Sequence, residues 1–515
     1  MSESRIAKAQ KNIMTSLIQN FVSIGINFAS RMIFVRILDE SYLGINGLFS
    51  NILNILSLAD LGMATVMMYS LYVPIENGDK KKIAALVSFF RKIYLGIALT
   101  VLIAGIGLIP FLDFIVNLNQ PLPFLEGYYM LALLNVVISY LFVYRTTLIS
   151  ADQKTYILNQ YSMIFKMITF AVQTVTLIFF KNYLIYLLAA LVISFISNIF
   201  QNLAALKLYP YLKNDTEKLD KEERKKIFYD VKAMFIYKIS GAIQSNTDHI
   251  LISVFVGTVS VGYYSNYAMA VAQIVVVITL VFNSLKASVG NFIVSGEAKE
   301  EEKHFLFQVC ETLNFWIVGF CSICFVSLFQ DFIAICFGEG FLLEFGIVIA
   351  VVLNFYTTHI RQAIWMFRET TGIFQETKCV TLVTAVLNVI FSLAFGSIWG
   401  MVGILAATIL AKLLYAFWKE PIILYRIVFK RSVASYFSAY IKNALLCILA
   451  GVLTYVSCEW VPMENPLFGF FLKILICCIA PNVVFFCCFW KTKEFQYIIK
   501  RLVLPLIQKT GKKSV

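Results

Sequence analysis

The residues of this sequence that could do chemistry are ionisable side chains set inside long apolar runs. Asp248 and His249 sit side by side between the polar stretch 244–247 and the apolar run 250–256. Arg31 lies in Ala29-Ser30-Arg31-Met32, Asp60 in Leu58-Ala59-Asp60-Leu61-Gly62, and Lys166 in Ile164-Phe165-Lys166-Met167. A charge near mid-bilayer costs about 2.5–3.5 kcal/mol on insertion scales, so such groups face a cavity or a partner. Arginine and lysine there suit phosphate, arginine through paired N–H bonds. Arg31 would meet an anion or pair with Asp248. Lys166 lies about 15 Å into its span at 1.5 Å per residue, too deep to snorkel easily. It would line a cavity or pair with Asp60. Asp60 itself would hold Na⁺ or H⁺ as a coupling ion, or act as a structural partner. Asp248-His249 would be a proton-linked site, since histidine titrates near neutral pH, or one wall of a hydrogen-bonded gate. Arg36 fits a headgroup anchor, and Lys473 is expected to snorkel from its helix end.

These side chains need helices that cross a bilayer. Of the 515 residues, 60% are hydrophobic and only 14% charged, against about 25% charged in soluble domains. Mean hydropathy is +0.79. The fold class is all-α, a polytopic membrane protein. At about 20 apolar residues per span, about 14 transmembrane helices are predicted: 12–37, 43–72, 83–110, 125–148, 156–180, 183–206, 233–256, 261–285, 305–329, 345–367, 377–395, 398–417, 436–457 and 467–489. The predicted organisation is an N-lobe of six helices (1–207), a basic linker (208–232), a C-lobe of six (233–419), and two further helices with a basic tail (420–515).

The net charge of +13 could suggest nucleic acid, but its placement argues for membrane lipid. With the N-terminus in the cytoplasm, nearly all Lys and Arg fall in inside segments, as the positive-inside rule requires. Both termini are then cytoplasmic, and the basic residues face anionic headgroups. The basic segment 1–11 precedes a long apolar span with no cleavage site, so that span is expected to insert and stay. The outside loops are too short for a catalytic domain. The 11 cysteines lie mostly in apolar spans. Cys477-Cys478 and Cys487-Cys488 have no histidine or acid beside them and read as packed thiols. No disulfide framework is expected.

Internal repeats are a common build of polytopic membrane proteins. Setting 38–46 against 256–264 places Gly44 on Gly262, an offset of 218 positions. The same offset puts Ser30-Arg31 on Asp248-His249.

Several stretches carry a family likeness. Tyr42-Leu43-Gly44-Ile45-Asn46-Gly47-Leu48-Phe49-Ser50 leads to Leu58-Ala59-Asp60-Leu61-Gly62, and Ser139-Tyr140-Leu141-Phe142-Val143-Tyr144-Arg145 leads to Ala151-Asp152-Gln153-Lys154. Thr247-Asp248-His249-Ile250, Tyr264-Ser265-Asn266-Tyr267 and Ala287-Ser288-Val289-Gly290-Asn291 follow. In order and spacing the set resembles the Wzx-like polysaccharide transporters (oligosaccharide flippases) of the multidrug/oligosaccharidyl-lipid/polysaccharide exporter superfamily, over nearly the whole chain. The resemblance implies two pseudo-symmetric six-helix lobes around a cavity open alternately to either side. It implies outward movement of undecaprenyl-pyrophosphate-linked oligosaccharide repeat units across the bacterial plasma membrane, for capsule, exopolysaccharide or O-antigen assembly. It implies a monomer with no catalytic residues, with Na⁺ or H⁺ as the coupling ion, working beside membrane lipids, a polysaccharide polymerase and chain-length machinery.

For that substrate, Arg31 and Lys166 are candidate pyrophosphate contacts. Asn266 and Gln273, with Gln244, Asn246, Asn283 and the tyrosines at 263, 264 and 267, suit sugar hydroxyls or interhelical hydrogen bonds. Arg145, Arg361 and Arg368 would receive the pyrophosphate at inner helix ends or anchor those ends. The alternatives are a lipid II flippase, a cation-coupled multidrug exporter of the same superfamily, and a membrane polysaccharide polymerase or glycosyltransferase. The last would need the large outside loop this chain lacks.

Overall fold

The computed structural model describes residues 5–57, 63–118, 122–213, 219–225, 227–228, 247–294, 299–373, 376–461 and 465–500. Among the described residues the chain is helical throughout, with no strand. Each predicted span, where described, is helical apart from the short breaks given below. Among the described residues nine helical segments are long and apolar enough to cross a membrane, or ten when one bent pair counts as a span. The chain is a multi-pass membrane protein. It divides into two compact units, Met1–Gly262 and Tyr263–Val515.

The first unit holds α1 (Arg5–Ile37), α2 (Glu40–Leu56), α3 (Met63–Glu76), α4 (Lys80–Gly107), α5 (Leu125–Tyr140), α6 (Val143–Ala151), α7 (Thr155–Phe180), α8 (Tyr183–Leu208), α9 (247–255) and the start of α10 (Thr258–Val294). Short polar side chains set the helix starts by accepting from otherwise unpaired N–H groups. Asp39 accepts from Ser41 N at 2.8 Å, Asp79 from Lys82 N at 3.0 Å, and Asn182 from Leu184 N at 2.8 Å. Lys181, in the left-handed region at φ 48°, ends α7 and turns the chain tightly into α8. Helices α5 and α6, read from sequence as one straight span, meet at a 46° bend.

Lipid offers no hydrophobic drive for helix pairing, so close backbone approach and hydrogen bonds do that work. A Cβ on Gly44 would sit 2.1 Å from the Thr258 carbonyl oxygen, and one on Gly262 would sit 2.9 Å from Gly44 N. Only glycine lets α2 and the start of α10 touch in this way. Residues 115–117, after α4, are tied to both neighbouring helices: Ser253 of α9 donates to Ile115 O at 2.6 Å, and Thr258 N at the start of α10 donates to Asn117 O at 2.8 Å. The described part of the basic linker docks on α4 through Lys82–Glu223 at 2.5 Å and the Phe89–Phe228 ring contact.

The second unit continues α10 from Tyr263 and adds α11 (Glu300–Phe337), α12 (Phe345–His359), α13 (Gln362–Thr371), α14 (Lys378–Ala411), α15 (Phe417–Leu424), α16 (Ala434–Glu459), α17 (Pro466–Phe489) and α18 (Lys493–Ile498). Helix α11 packs against α12, α16 and α17. The spans predicted at 377–395 and 398–417 fall in α14 and the helical turns after it. Gly400, at φ 56° and ψ −132°, turns α14 back on itself, so that Asn388 donates to Thr408 Oγ1 at 2.7 Å across the hairpin. Helices α12 and α13 break at Ile360-Arg361. There Asn314 of α11 donates to the carbonyls of His359 and Ile360 at 3.1 and 2.7 Å, replacing the helical bonds lost at the break.

One lysine differs from the sequence expectation. Lys473 does not snorkel. It is buried and pairs with Asp331 of α11 at 2.7 Å, because a partner inside the unit compensates the charge more completely than a path to the helix end. Lys412 is also buried, donating to Asn354 Oδ1 and Thr358 Oγ1 at 2.6 Å each. All 11 cysteines are free thiols.

Helix starts carry the offset seen in the sequence. Glu40 and Thr258 are 218 positions apart, Lys80 and Glu300 220, Leu125 and Phe345 220, and Val143 and Gln362 219.

Candidate functional site

Three helices of the first unit each carry a polar stripe at helical spacing. On α7 it is Ser162, Lys166, Thr169 and Gln173; on α8, Ser194, Ser197, Asn198 and Gln201; on α1, Asn27 and Ser30. Residues three and four apart share a helix face, so each stripe points one way. Helix α7 packs against both α1 and α8, and the stripes meet around a cavity of about 530 Å³. Ser139, near the end of α5, completes the wall.

Among the described residues Lys166 is the one cation lining this cavity; hydroxyls and amides supply most of the other polar groups. The helix directions order the lining. Gln173 and Tyr186 mark the end near the α7–α8 turn. Ser139 and Gln201 mark the opposite end, near the α5–α6 bend.

Arg31 adjoins the first end. It follows Ser30 in sequence, lies within electrostatic reach of Tyr183 and Tyr186, and donates to Gly262 O at 3.4 Å. Gln173 Nε2 donates to the backbone carbonyl of Tyr186 at 3.3 Å. Tyr183 contacts Phe34, Tyr42 and Tyr128, with ring centroids 5.0–5.8 Å apart. The guanidinium is therefore held beside an aromatic cluster at the cavity's edge.

Arg145 is outside the cavity lining. It stands in the first turn of α6 and donates to the side-chain oxygen of Asn202, next to Gln201. Nearby, Asp152 accepts from Tyr209 at 2.7 Å and pairs with Lys154 at 2.6 Å. Burial, then the bond to Asp152, hold the Tyr209 phenol well above its usual pKa, so it remains a donor at neutral pH.

Asp248 and His249 are both buried on α9. His249 lies within electrostatic reach of Arg31. The structure thus brings Arg31, Lys166, Arg145, Asp248 and His249 into one unit. Asp60, Gln244 and Asn246 lie outside the described residues. Arg36 is exposed.

The remaining candidates belong to the second unit. Asn266 is fully buried and Gln273 half-buried on α10. Tyr267, also fully buried, donates to Gln330 Oε1 at 2.7 Å and accepts from Leu343 N at 3.1 Å, an interhelical role. Arg361 is 3% exposed, pairs with Glu420 at 3.0 Å and stacks over Trp365 at 5.2 Å. Trp365 donates to Glu420 at 3.2 Å, and Arg368 lies 3.7 Å from it. Sequence reasoning singled out these arginines but not Glu420. It also read Lys166 alone and passed over the stripes on α7 and α8, whose spacing was the available signal.

A scan against protein-family models found no match, and neither did a search of curated proteins. Solved structures do match. The chain is similar to the lipid II flippase MurJ in an inward closed conformation, at 14% identity and TM-score 0.64, over 93% of this chain and 99% of that one. It is similar to an inward-facing multidrug resistance MATE family transporter of the MOP superfamily, at 15% identity and TM-score 0.58, over 76% and 91%. A MATE structure in complex with MaD3S gives 14% and 0.53, over 80% and 95%. These similar structures are all of transporters, and the fold of this chain is the one they share.

Proposed function

We propose that this protein is a Wzx-like flippase moving undecaprenyl-pyrophosphate-linked oligosaccharide repeat units from the cytoplasmic to the outer leaflet by alternating access. The polar cavity around Lys166 carries this reading. An unpaired ionised group taken from water into hydrocarbon costs tens of kcal/mol by Born solvation. Hydroxyls and amides on α1, α7 and α8 stand in for the lost water, and the Lys166 ammonium supplies counter-charge. The volume of about 530 Å³ falls within the range of about 300–1,000 Å³ usual for small-molecule sites. That is room for part of a sugar-pyrophosphate head, while a long prenyl tail stays in lipid. Arg31 receives the anion near the far end, and Asp248-His249 forms part of the gate. Na⁺ or H⁺ drives the cycle through Asp60 or Asp248-His249. The protein acts as a monomer in the bacterial plasma membrane, termini inside, beside a polymerase and chain-length machinery.

The likeness to the lipid II flippase favours a second reading, in which the head is that of lipid II. It differs in cargo and not in mechanism. A multidrug exporter, like the inward-facing MATE neighbour, would carry amphiphilic drugs instead.

The test is delivery. Lys166→Ala and Arg31→Ala should each lower outer-leaflet appearance of the lipid-linked sugar at least tenfold at unchanged protein level. Intact delivery in both variants would sink the cavity assignment. The lipid-linked sugar that accumulates inside cells lacking the protein identifies the cargo, and no accumulation favours the exporter.

A further inference from the structure

A group of side chains that the transport reading leaves unused meets between α11, α16 and α17 of the second unit. Cys324, Ser327 and Asp331 are three and four residues apart on α11 and so share a face. Lys473 and Cys477, four apart on α17, meet that face. Lys473 pairs with Asp331 at 2.7 Å, and Cys324 and Ser327 lie within interaction range of Cys477. Cys458, in the last turn of α16, completes the group. Its Sγ lies 3.8 Å from the Cys477 Sγ and 3.9 Å from the Lys473 carbonyl oxygen. Cys458 and Cys477 are each 1% exposed.

A single buried thiol packs as a small hydrophobe and would need no further account. Two thiols in contact on neighbouring helices differ, because oxidising one places an electrophile against the other. The Lys473 ammonium is within electrostatic reach of Cys458, and a nearby cation favours the nucleophilic thiolate. From 3.8 Å, closure to an S–S bond of about 2.05 Å asks for about 1.8 Å of approach. The site is closed to bulky reagents, so the oxidant that suits it is small and neutral, and hydrogen peroxide is both.

We propose that Cys458 and Cys477 are a peroxide-sensitive thiol pair that closes into a reversible disulfide, stapling α16 to α17. The Cys458 sulfur attacks hydrogen peroxide and the O–O bond breaks. One oxygen stays on Sγ as sulfenic acid, and the other leaves as water with the thiol proton. The Cys477 sulfur then attacks the Cys458 sulfur. The S–S bond forms, and the sulfenic oxygen leaves as a second water with the Cys477 proton. Two electrons have passed from the two sulfurs to peroxide. Contact between the thiols makes the second step unimolecular, so the sulfenic acid is captured before a second peroxide reaches it. The inference does not depend on the cargo proposed above.

The test uses the full-length protein in nanodiscs, treated with hydrogen peroxide, then unfolded, alkylated and digested for mass spectrometry. The wild type should yield a peptide pair joining Cys458 to Cys477, lost again on treatment with dithiothreitol. Its melting temperature should rise on oxidation and fall back on reduction, because the closed ring removes freedom from the unfolded chain. Cys458→Ser and Cys477→Ser should each abolish the linked peptide and the rise, and Cys324→Ser should keep both. The peptide map is read on the wild type, so it decides even where a serine variant fails to fold. Full alkylation of Cys458 and Cys477 after peroxide overturns the proposal. So does a link made through Cys324 instead, or conversion of Cys458 to sulfinic acid with no link.

Discussion

Lys166 and Lys473 are both lysines deep in apolar helices, and their surroundings give them different work. Lys473 is neutralised by Asp331 across a 2.7 Å ion pair, whereas Lys166 faces a cavity of mostly neutral polar groups. Removing one partner of a buried pair strands the other charge, at about 3–5 kcal/mol. Lys473→Met should therefore lower the melting temperature in detergent sharply, and the double variant Lys473→Met with Asp331→Leu should recover most of it. Equal melting in the single and double variants would count against the pair. The sequence made Lys166 visible because a lone ammonium stands out among Ile, Phe and Met. It did not reveal the fate of Lys473, because Asp331 lies 142 positions away and pairing at that separation follows from tertiary packing alone.

At the scale of elements, glycines and breaks matter more than hydropathy. The Gly44 position meets backbone, not a yielding side chain, so Gly44→Ala must push α2 away from the start of α10. Overpacking typically costs 1–3 kcal/mol, and the variant should melt earlier by that measure, with Gly262→Ala doing so less. Gly400 lies in a backbone region that other residues enter at about 1–3 kcal/mol. Gly400→Ala should destabilise the α14 hairpin, read as faster proteolysis between 395 and 405. Apolar run length made the spans legible, and the tight start of the second half was legible from the Gly44–Gly262 match. The bends at α5–α6 and α12–α13 were not. No Gly or Pro lies at 140–143 or 359–362, and at the second break Asn314 from another helix satisfies the freed carbonyls.

For the whole molecule, the fold was legible at the level of class, since composition and charge placement exclude a soluble core. The cavity was not, because it needs three helices to present their stripes to one space. One consequence concerns speed. A carrier must let go of its cargo, and a path works when each resting place is shallow. A cavity with one ammonium among many neutral hydroxyls and amides is a weak trap for a doubly charged head. Ser162→Lys, one turn from Lys166, would deepen that trap. It should raise affinity for undecaprenyl pyrophosphate several-fold while slowing turnover by a similar factor, measured by binding and by single-vesicle transport on the same preparation. On the proposed function, the sparse charge of this cavity is then a device for fast release.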